Sequence, residues 1–539
     1  MTSRKPASRS KAQARIRLTE NAQTVLEKRY LLKNEAGVVT ETPELLFQRV
    51  AKAVADPEGR ERARWSDKFY ELMARLRFLP NSPTLMNAGK SLGQLSACFV
   101  LPVRDSLDSI FDTLKYAAKI HQSGGGTGFS FSKVRSRGSL VRSTLGVASG
   151  PVSYIRIFDI ATETIKQGGT RRGANMAVLR VDHPDILEFI FSKVDLSSLT
   201  NFNISVGITN EFMQAVRRND TFGLVDPRAG YSRDVSAKMI FDRIVDAAWR
   251  CGDPGVVFLD RINLFNPTPQ EGLMESTNPC GEQPLLSFES CNLGSLNLSQ
   301  YFNKNQGFDW GLFRKDIEIA VRFLDNVVEV NHYPIQECKK ITLRNRKIGL
   351  GVMGFADLLL LMGLSYSSPE AFVLGEKIMS FLDREAKRSS ANLATQRGPF
   401  ANWKGSLWHQ LGYPALRNAT VSTVAPTGTI SMIAGTSSGI EPLFSGVFYR
   451  NVLAGEKLIE IHPLVKELLT GRNLSLDHLT DEKIAEELGE IWSPAGKVST
   501  DVHVRMQAAF QRHSDSAVSK TINLPEQATR ADVAAAYHL

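Results

Sequence analysis

Hydrophobic positions recur at helical spacing in the first part of the chain, and then the period changes. After Thr19 an amphipathic run extends through Leu32, and Pro43 opens a second run with Leu45, Leu46, Val50 and Val54 on one face. From Pro80 onward the pattern becomes short apolar runs separated by glycine-rich turns and helical stretches. The runs at 98–103, 129–134, 176–181, 203–208 and 256–259 read as strands. Strands alternating with helices predict an α/β architecture whose ligands gather at strand ends. The chain therefore divides into a tail at 1–17, a helical domain at 18–79 and an α/β domain at 80–539, closing on a helix over 528–539 that ends without a cap. No internal repeat is visible.

Composition sharpens this picture in three places. At 539 residues the chain exceeds the roughly 250–300 at which single cores stop growing, so a large catalytic unit with a smaller flanking domain is expected. The formal net charge of +9 is concentrated at the start, where Arg4, Lys5, Arg9, Lys11, Arg15 and Arg17 occur with no acid. Such a stretch reads as a solvated, disordered tail rather than a polynucleotide site, and the small remaining excess suits anionic small molecules. The longest apolar run, around Leu358 to Leu361, is far short of a membrane span, and no leader pattern opens the chain. A cytoplasmic protein without membrane or direct nucleic-acid contact is expected.

The five cysteines, Cys98, Cys251, Cys280, Cys291 and Cys338, are too few and scattered for a disulfide scaffold, and none lies in a zinc-like pair. No metal site is expected, and any cysteine that matters should matter as a reactive thiol. There is no phosphate loop of the G-x-x-x-x-G-K-[ST] type. Gly349-Leu350-Gly351-Val352-Met353-Gly354 satisfies the dinucleotide pattern, but Arg344-Asn345-Arg346-Lys347 before it is no buried strand. Those glycines are expected to permit close packing of a strand on a helix.

The densest chemistry lies in Asn278-Pro279-Cys280-Gly281-Glu282, with Cys291 eleven residues after Cys280. In an extended segment Asn278, Cys280 and Glu282 would share one face, bringing an amide, a thiol and a carboxylate together. Pro279 and Gly281 disfavour both helix and ladder pairing, which suits a loop pushed into a cavity. Taken alone, the pentapeptide fits equally well a surface turn with an incidental cysteine.

Several further motifs decide between these readings. The segment 278–282 resembles the active-site finger loop of ribonucleotide reductases, and matching motifs occur in the family's order along most of the chain. They are 79–85 (LPNSPTL), Ser96-Ala97-Cys98, the glycine-rich 123–128, 167–173 (QGGTRRG) and 426–431 (PTGTIS). The resemblance implies a ten-stranded α/β barrel of two five-stranded halves around a central finger loop. It also implies thiyl-radical replacement of a ribose 2′-hydroxyl by hydrogen. Cys280 would carry the radical, Glu282 would take the 3′-hydroxyl proton, Asn278 would orient substrate and carboxylate, and Cys98 and Cys291 would supply two electrons as they form a disulfide. Their α-carbons would then have to lie within about 4.4–6.8 Å. Cys251 and Cys338 match no family motif and read as structural.

By the same resemblance the substrate, a ribonucleoside di- or triphosphate, would meet Ser82, Ala97, Cys98, Gly126 and residues 278–282. Its phosphates would lie on Pro426, Thr427, Gly428, Thr429 and Ile430, at the expected start of a helix. Where the family often has serine before the redox cysteine this chain has Ala97, so any side-chain contact there is lost. A deoxynucleoside triphosphate effector at a homodimer interface would meet Asp105, Ser106, Leu107, Gln122 and Arg135. Gly168, Gly169, Thr170, Arg171, Arg172 and Gly173 match the mobile loop that relays effector identity to the substrate.

Pro279 and Gly281 around the cysteine, with the PTGTIS form of the phosphate motif, resemble the adenosylcobalamin-dependent class, reduced by a thioredoxin-like protein or a small dithiol. The metal-subunit-dependent class is the alternative. The segment 519–525 resembles one that the family follows with a final strand and then a tyrosine pair or a cysteine-bearing tail, neither of which occurs in these 539 residues. The barrel is therefore expected to lack its last strand, leaving an unpaired edge. A separate chain would complete it, or the chain would be an inactive fragment that retains nucleotide binding.

Overall fold

Threonine hydroxyls start the first two helices. In the computed structural model, which describes residues 16–141, 145–167, 171–451, 457–470 and 479–539, α1 (Glu20–Arg29) begins where Thr19 accepts the Ala22 N–H. Helix α2 (Pro43–Val54) begins where Thr42 accepts the Leu45 N–H, with Pro43 in the first turn. Of the expected tail, residues 1–15 lie outside the described residues, while Ile16 is buried in the core. A third helix, α3 (Arg62–Ala74), follows. The apolar faces of α2 and α3, with Leu46, Phe47, Val50, Phe69 and Leu72, share one core with the long helix Trp310–Val330. Between α2 and α3 the buried Glu58 accepts from Arg322 at 2.8 Å and Arg397 at 2.7 Å, so the helical part is also tied to the rest by charge.

The main sheet has eight strands: β1 (Phe78–Pro80), β2 (Cys98–Pro102), β3 (Gly126–Ser130), β4 (Asn175–Arg180), β5 (Phe202–Ile208), β6 (Gly255–Phe258), β7 (Glu289–Asn297) and β8 (Ile348–Met353). Strands β2 to β6 are parallel neighbours in chain order, which gives one five-stranded half. Strand β7 runs antiparallel to β2 and parallel to β8, so it opens a second half of opposite direction. Backbone bonds continue that half. Leu350 N–H donates to the Val421 carbonyl at 2.8 Å, and Ser519 N–H donates to the Val424 carbonyl at 2.9 Å. Two large apolar clusters correspond to the halves, one around β2–β6 and one around β7, β8 and the helical domain.

The five expected strands all occur, and four lie within a residue or so of their expected positions. The strand expected at 129–134, β3, instead starts three residues early, at Gly126, and the reason is steric. A Cβ at Gly126 would approach Pro279 Cγ to 2.9 Å, and one at Gly128 would collide with the Thr277 carbonyl. The second half of the glycine-rich run, 126–128, is thus strand rather than turn, because another segment presses against it.

Gly349 and Gly351 also depart from expectation. They lie inside β8 and allow close approach not of a helix but of residues 420–424 and the finger. A Cβ at Gly351 would collide with the Thr423 carbonyl, and one at Gly349 would reach Leu293 and Thr423 side chains. No helix among the described residues is long and apolar enough to cross a membrane.

Replacing Gly128 by Ala is expected to lower stability by at least the ~1–3 kcal/mol typical of overpacking. Urea denaturation of Gly128→Ala checks this, and a midpoint equal to that of the parent would show that Thr277 does not press on β3.

Candidate active site

A short hairpin carries the candidate residues. Ser276–Thr277 pairs antiparallel with Pro284–Leu285, and the tip between them is a tight turn in which the Gly281 N–H donates to the Asn278 carbonyl at 3.1 Å. Gly281 has φ +84°, a conformation that glycine adopts without strain. Both halves grip the hairpin. Asn203 Nδ2 on β5 donates to the Pro279 carbonyl at 2.7 Å. From the other half, Thr423 Oγ1 and the Ala517 N–H donate to the Glu282 carbonyl at 3.0 and 2.9 Å. The segment is therefore a loop inserted between the halves, not a surface turn.

Asn278 and Glu282 are buried at the hairpin, whereas Cys280 stands exposed at the tip. Asn278 is fixed at both ends of its amide. Its Oδ1 accepts the Gln283 N–H at 3.0 Å, and its Nδ2 donates to Cys98 Sγ at 3.1 Å. One oxygen of the Glu282 carboxyl, Oε2, has no hydrogen-bond partner among the described residues. Burial pushes this carboxyl up to about 7, against the opposing pull of its own backbone N–H and the Asn278 amide.

Cys98 and Cys291, 193 positions apart, are directly opposed across β2 and β7. Opposed residues in an antiparallel pair have α-carbons about 4.5–5.5 Å apart, within the span a disulfide requires. Both thiols are buried and unjoined. Burial raises the Cys98 thiol first, and the charges of Glu282, Cys291 and Cys280 add to it. Burial likewise raises Cys291, with Lys347 pulling the other way.

Beside Cys291 lies a pair that sequence reading passed over. Lys347 Nζ donates to Glu289 Oε2 at 2.7 Å, and both side chains are almost fully enclosed. Lys347, a charged residue bordering the apolar run of β8, was the available signal. Asn203, a polar residue at the start of an otherwise apolar strand, was another.

Other expected substrate residues border the same region. Ala97 and Gly126 are joined by a backbone bond of 2.8 Å at the starts of β2 and β3, adjoining Cys98 and Pro279. Ser82 is half-buried and hydrogen-bonded to Tyr30 at 2.7 Å. In the 426–430 segment Thr427 has φ +56°, a conformation costly for a β-branched residue, held by a bond of 2.7 Å from the Gly439 N–H to its hydroxyl. Gly428 and Thr429 stand at least partly open to solvent.

The expected effector residues are only partly gathered. Arg135 Nε lies 2.9 Å from Asp105, which Arg228 also meets at 2.6 Å. Against a burial penalty, these two arginines hold the Asp105 carboxyl below its usual range. Ser106 caps the helix Leu107–Gln122, and Leu107 is exposed. Gln122 sits at the far end of that 16-residue helix, on the order of 20 Å away. Of the expected relay loop, Gly168, Gly169 and Thr170 lie outside the described residues, Arg171–Arg172 form a short strand with Lys166–Gln167, and Gly173 abuts His121. Cys338 is a core residue, and Cys251 donates to the carbonyls of Ala247 and Asp253.

A finger loop between two half-barrels of opposite direction, with a cysteine pair at its flank, defines the class of fold, and comparison with known sequences names the family. Residues 16–93 match the ribonucleotide reductase all-alpha domain and residues 96–539 the ribonucleotide reductase barrel domain. The chain belongs to the ribonucleotide reductase family. It is 46% identical to the vitamin B12-dependent ribonucleoside-diphosphate reductase of Thermoplasma acidophilum, over 97% of this chain and 77% of that protein. The protein of the same name from Mycobacterium tuberculosis gives the same three figures. The ribonucleoside-diphosphate reductase subunit alpha of Chlamydia pneumoniae is 27% identical over 90% of this chain and 54% of that protein.

The Glu282 environment generates a stability prediction. A carboxyl whose folded value lies above its ordinary 4.5 keeps its proton in the fold while the unfolded chain releases it. Stability therefore falls as pH rises from 4.5 towards about 7. Glu282→Gln removes that dependence. The variant is expected to match the parent near pH 4 and to exceed it by on the order of 3 kcal/mol above pH 7, as read by denaturant melts across the range. An equal stability gap at both extremes would contradict a buried, high-pKa carboxyl.

Proposed function

We propose that this chain reduces ribonucleotides to 2′-deoxyribonucleotides by thiyl-radical chemistry at Cys280, with adenosylcobalamin as the radical generator. One arrangement carries the reading: Asn278, Glu282, Cys98 and Cys291 are buried around the foot of a hairpin whose tip presents Cys280 to the outside. An exposed sulfur fits a radical generator that must be reached from beyond the chain's own side chains. When bound, adenosylcobalamin supplies the homolysis that takes the hydrogen atom from Cys280. The relatives named as B12-dependent, at 46% identity, favour this class over the metal-subunit alternative.

In this reading the Cys280 thiyl abstracts the ribose 3′-hydrogen. Glu282 takes the 3′-hydroxyl proton, a task suited to a carboxyl poised near neutrality. The 2′-hydroxyl departs as water with a proton from the Cys98–Cys291 dithiol. That pair gives up two electrons as its S–S bond forms, and Cys280 returns the 3′-hydrogen. The balance is ribonucleotide plus dithiol to deoxyribonucleotide, water and disulfide. Burial keeps both thiols protonated, which suits a pair that must supply protons as well as electrons. A thioredoxin-like protein or a small dithiol then regenerates it.

Substrate contacts are assigned to Ser82, Ala97, Gly126 and the 426–430 segment, the last for the phosphates of a di- or triphosphate. Effector contacts are assigned to Asp105, Ser106, Leu107, Gln122 and Arg135 at a homodimer interface. Exposed apolar side chains on the two nearby helices, Leu107, Phe111, Ile157 and Ile160, support self-association there. The need for a reduced dithiol supports a cytoplasmic location.

Ribonucleotide reduction assayed with adenosylcobalamin and dithiothreitol tests the reading. Turnover is expected, with Cys280→Ala abolishing it while nucleotide binding persists. The acid limb of the rate profile should inflect near the value of about 7 set by Glu282. Glu282→Gln should lower kcat by about 100-fold or more. Turnover without cobalamin but with a metal-bearing subunit, or undiminished turnover in Cys280→Ala, would overturn it.

A further inference from the structure

Helix α1 lies against the substrate region, and its end makes a polar contact with Ser82 there. Tyr30, the residue that closes α1, is buried at 2% exposure, and its hydroxyl lies 2.7 Å from Ser82 Oγ. Ser82 is half-buried rather than enclosed. The same helix packs on the helix Gly428–Ala434, and a Cβ at Gly435 would stand 3.6 Å from Thr19 Cγ2. One element of the helical domain therefore backs both segments assigned to substrate binding.

The hydroxyl chemistry gives this contact a direction. A serine hydroxyl has one proton to donate and two lone pairs to accept with. A ribonucleotide offers mostly acceptors in its phosphate and ribose oxygens, so Ser82 is useful to it chiefly as a donor. The Ser82 proton is free to point at substrate only if Tyr30 is the donor between the two. We propose that Tyr30 is a positioning residue for ribonucleotide binding: it donates to Ser82 Oγ and so turns the Ser82 proton toward the substrate. This rests on the assignment of Ser82 as a substrate contact, and the experiment separates the two.

Tyr30→Phe keeps the buried ring and removes only the hydroxyl. With a ribonucleoside diphosphate as substrate, Tyr30→Phe is expected to raise KM by about 3- to 10-fold, the effect of one oriented hydrogen bond, with kcat within about twofold of the parent. Ser82→Ala should raise KM at least as much. The double variant should be no worse than Ser82→Ala alone, because Tyr30 acts only through Ser82. Thermal midpoints of Tyr30→Phe and the parent should agree, whereas Tyr30→Ala, which also empties the ring's site, should melt earlier.

A KM shift in Ser82→Ala without one in Tyr30→Phe would overturn the role of Tyr30 and leave the substrate assignment standing. No shift in Ser82→Ala would remove the assignment and the proposal together. Additive effects in the double variant would show that Tyr30 acts independently of Ser82 and would also overturn it.

Discussion

The antiparallel register between β2 and β7 is the constraint on which the site depends. It is the only place among the described residues where the first half-barrel is laddered to the long first strand of the second, and it sets Cys98 opposite Cys291. A slip of one residue would send one sulfur to the opposite face of the sheet, because side chains alternate along a strand. Asn278 depends on the same register, since its amide spans from the hairpin backbone to Cys98 Sγ. A local error at this seam would therefore separate the thiols and loosen the finger at once.

Burial does most of the electrostatic work around that seam. It pushes Glu282, Cys98 and Cys291 all toward their protonated forms. For two thiols that is consistent with a store of hydrogen, but for a general base it is a cost, and Glu282 settles near neutrality rather than far above it. The opposing influences on Glu282 are hydrogen-bond donors, not cations. The enclosed cation that acts on Cys291, Lys347, is already paired with Glu289, so it lends Cys291 only a partly offset positive charge. The site is thus dry without being strongly charged, which favours radical and proton transfers that create little net charge.

How much of this was legible in the sequence depends on how local the cause was. Helices α1 and α2 were readable because Thr19, Thr42 and Pro43 act on their own first turns. Four strands fell nearly where their apolar runs placed them. The start of β3 and the setting of Gly349 and Gly351 were misjudged because each answers to a segment far away in the chain: the finger in one case, residues 420–424 in the other. Within the site, the residue types at 278, 280 and 282 announced their chemistry, but nothing in the spacing of Cys98 and Cys291 did. Only a motif in family order pointed to that pair, because register between distant strands leaves no mark on either strand alone. Lys347 beside the apolar run of β8 gave only a weak signal, since a charged residue beside an apolar run is ordinarily solvated.

The glycines near the finger follow from the same insertion. A glycine-rich segment before a strand is often a phosphate cradle, yet here each described glycine from 125 to 128 faces a neighbour within the chain. Gly125 meets Ile120 and Phe99, Gly126 meets Pro279, and Gly128 meets Thr277. On the opposite side Gly349 and Gly351 make room chiefly for Thr423, which in turn holds the Glu282 carbonyl. The finger therefore passes a strand, β3, stripped of side chains at Gly126 and Gly128, and at Thr277 its distance from that strand is set by backbone contact rather than by adaptable side chains. That rigidity is what a radical site needs, because abstraction between a sulfur and a ribose carbon tolerates little displacement. A finger cushioned by larger residues would still fold into the gap, but its tip would no longer be held by both walls.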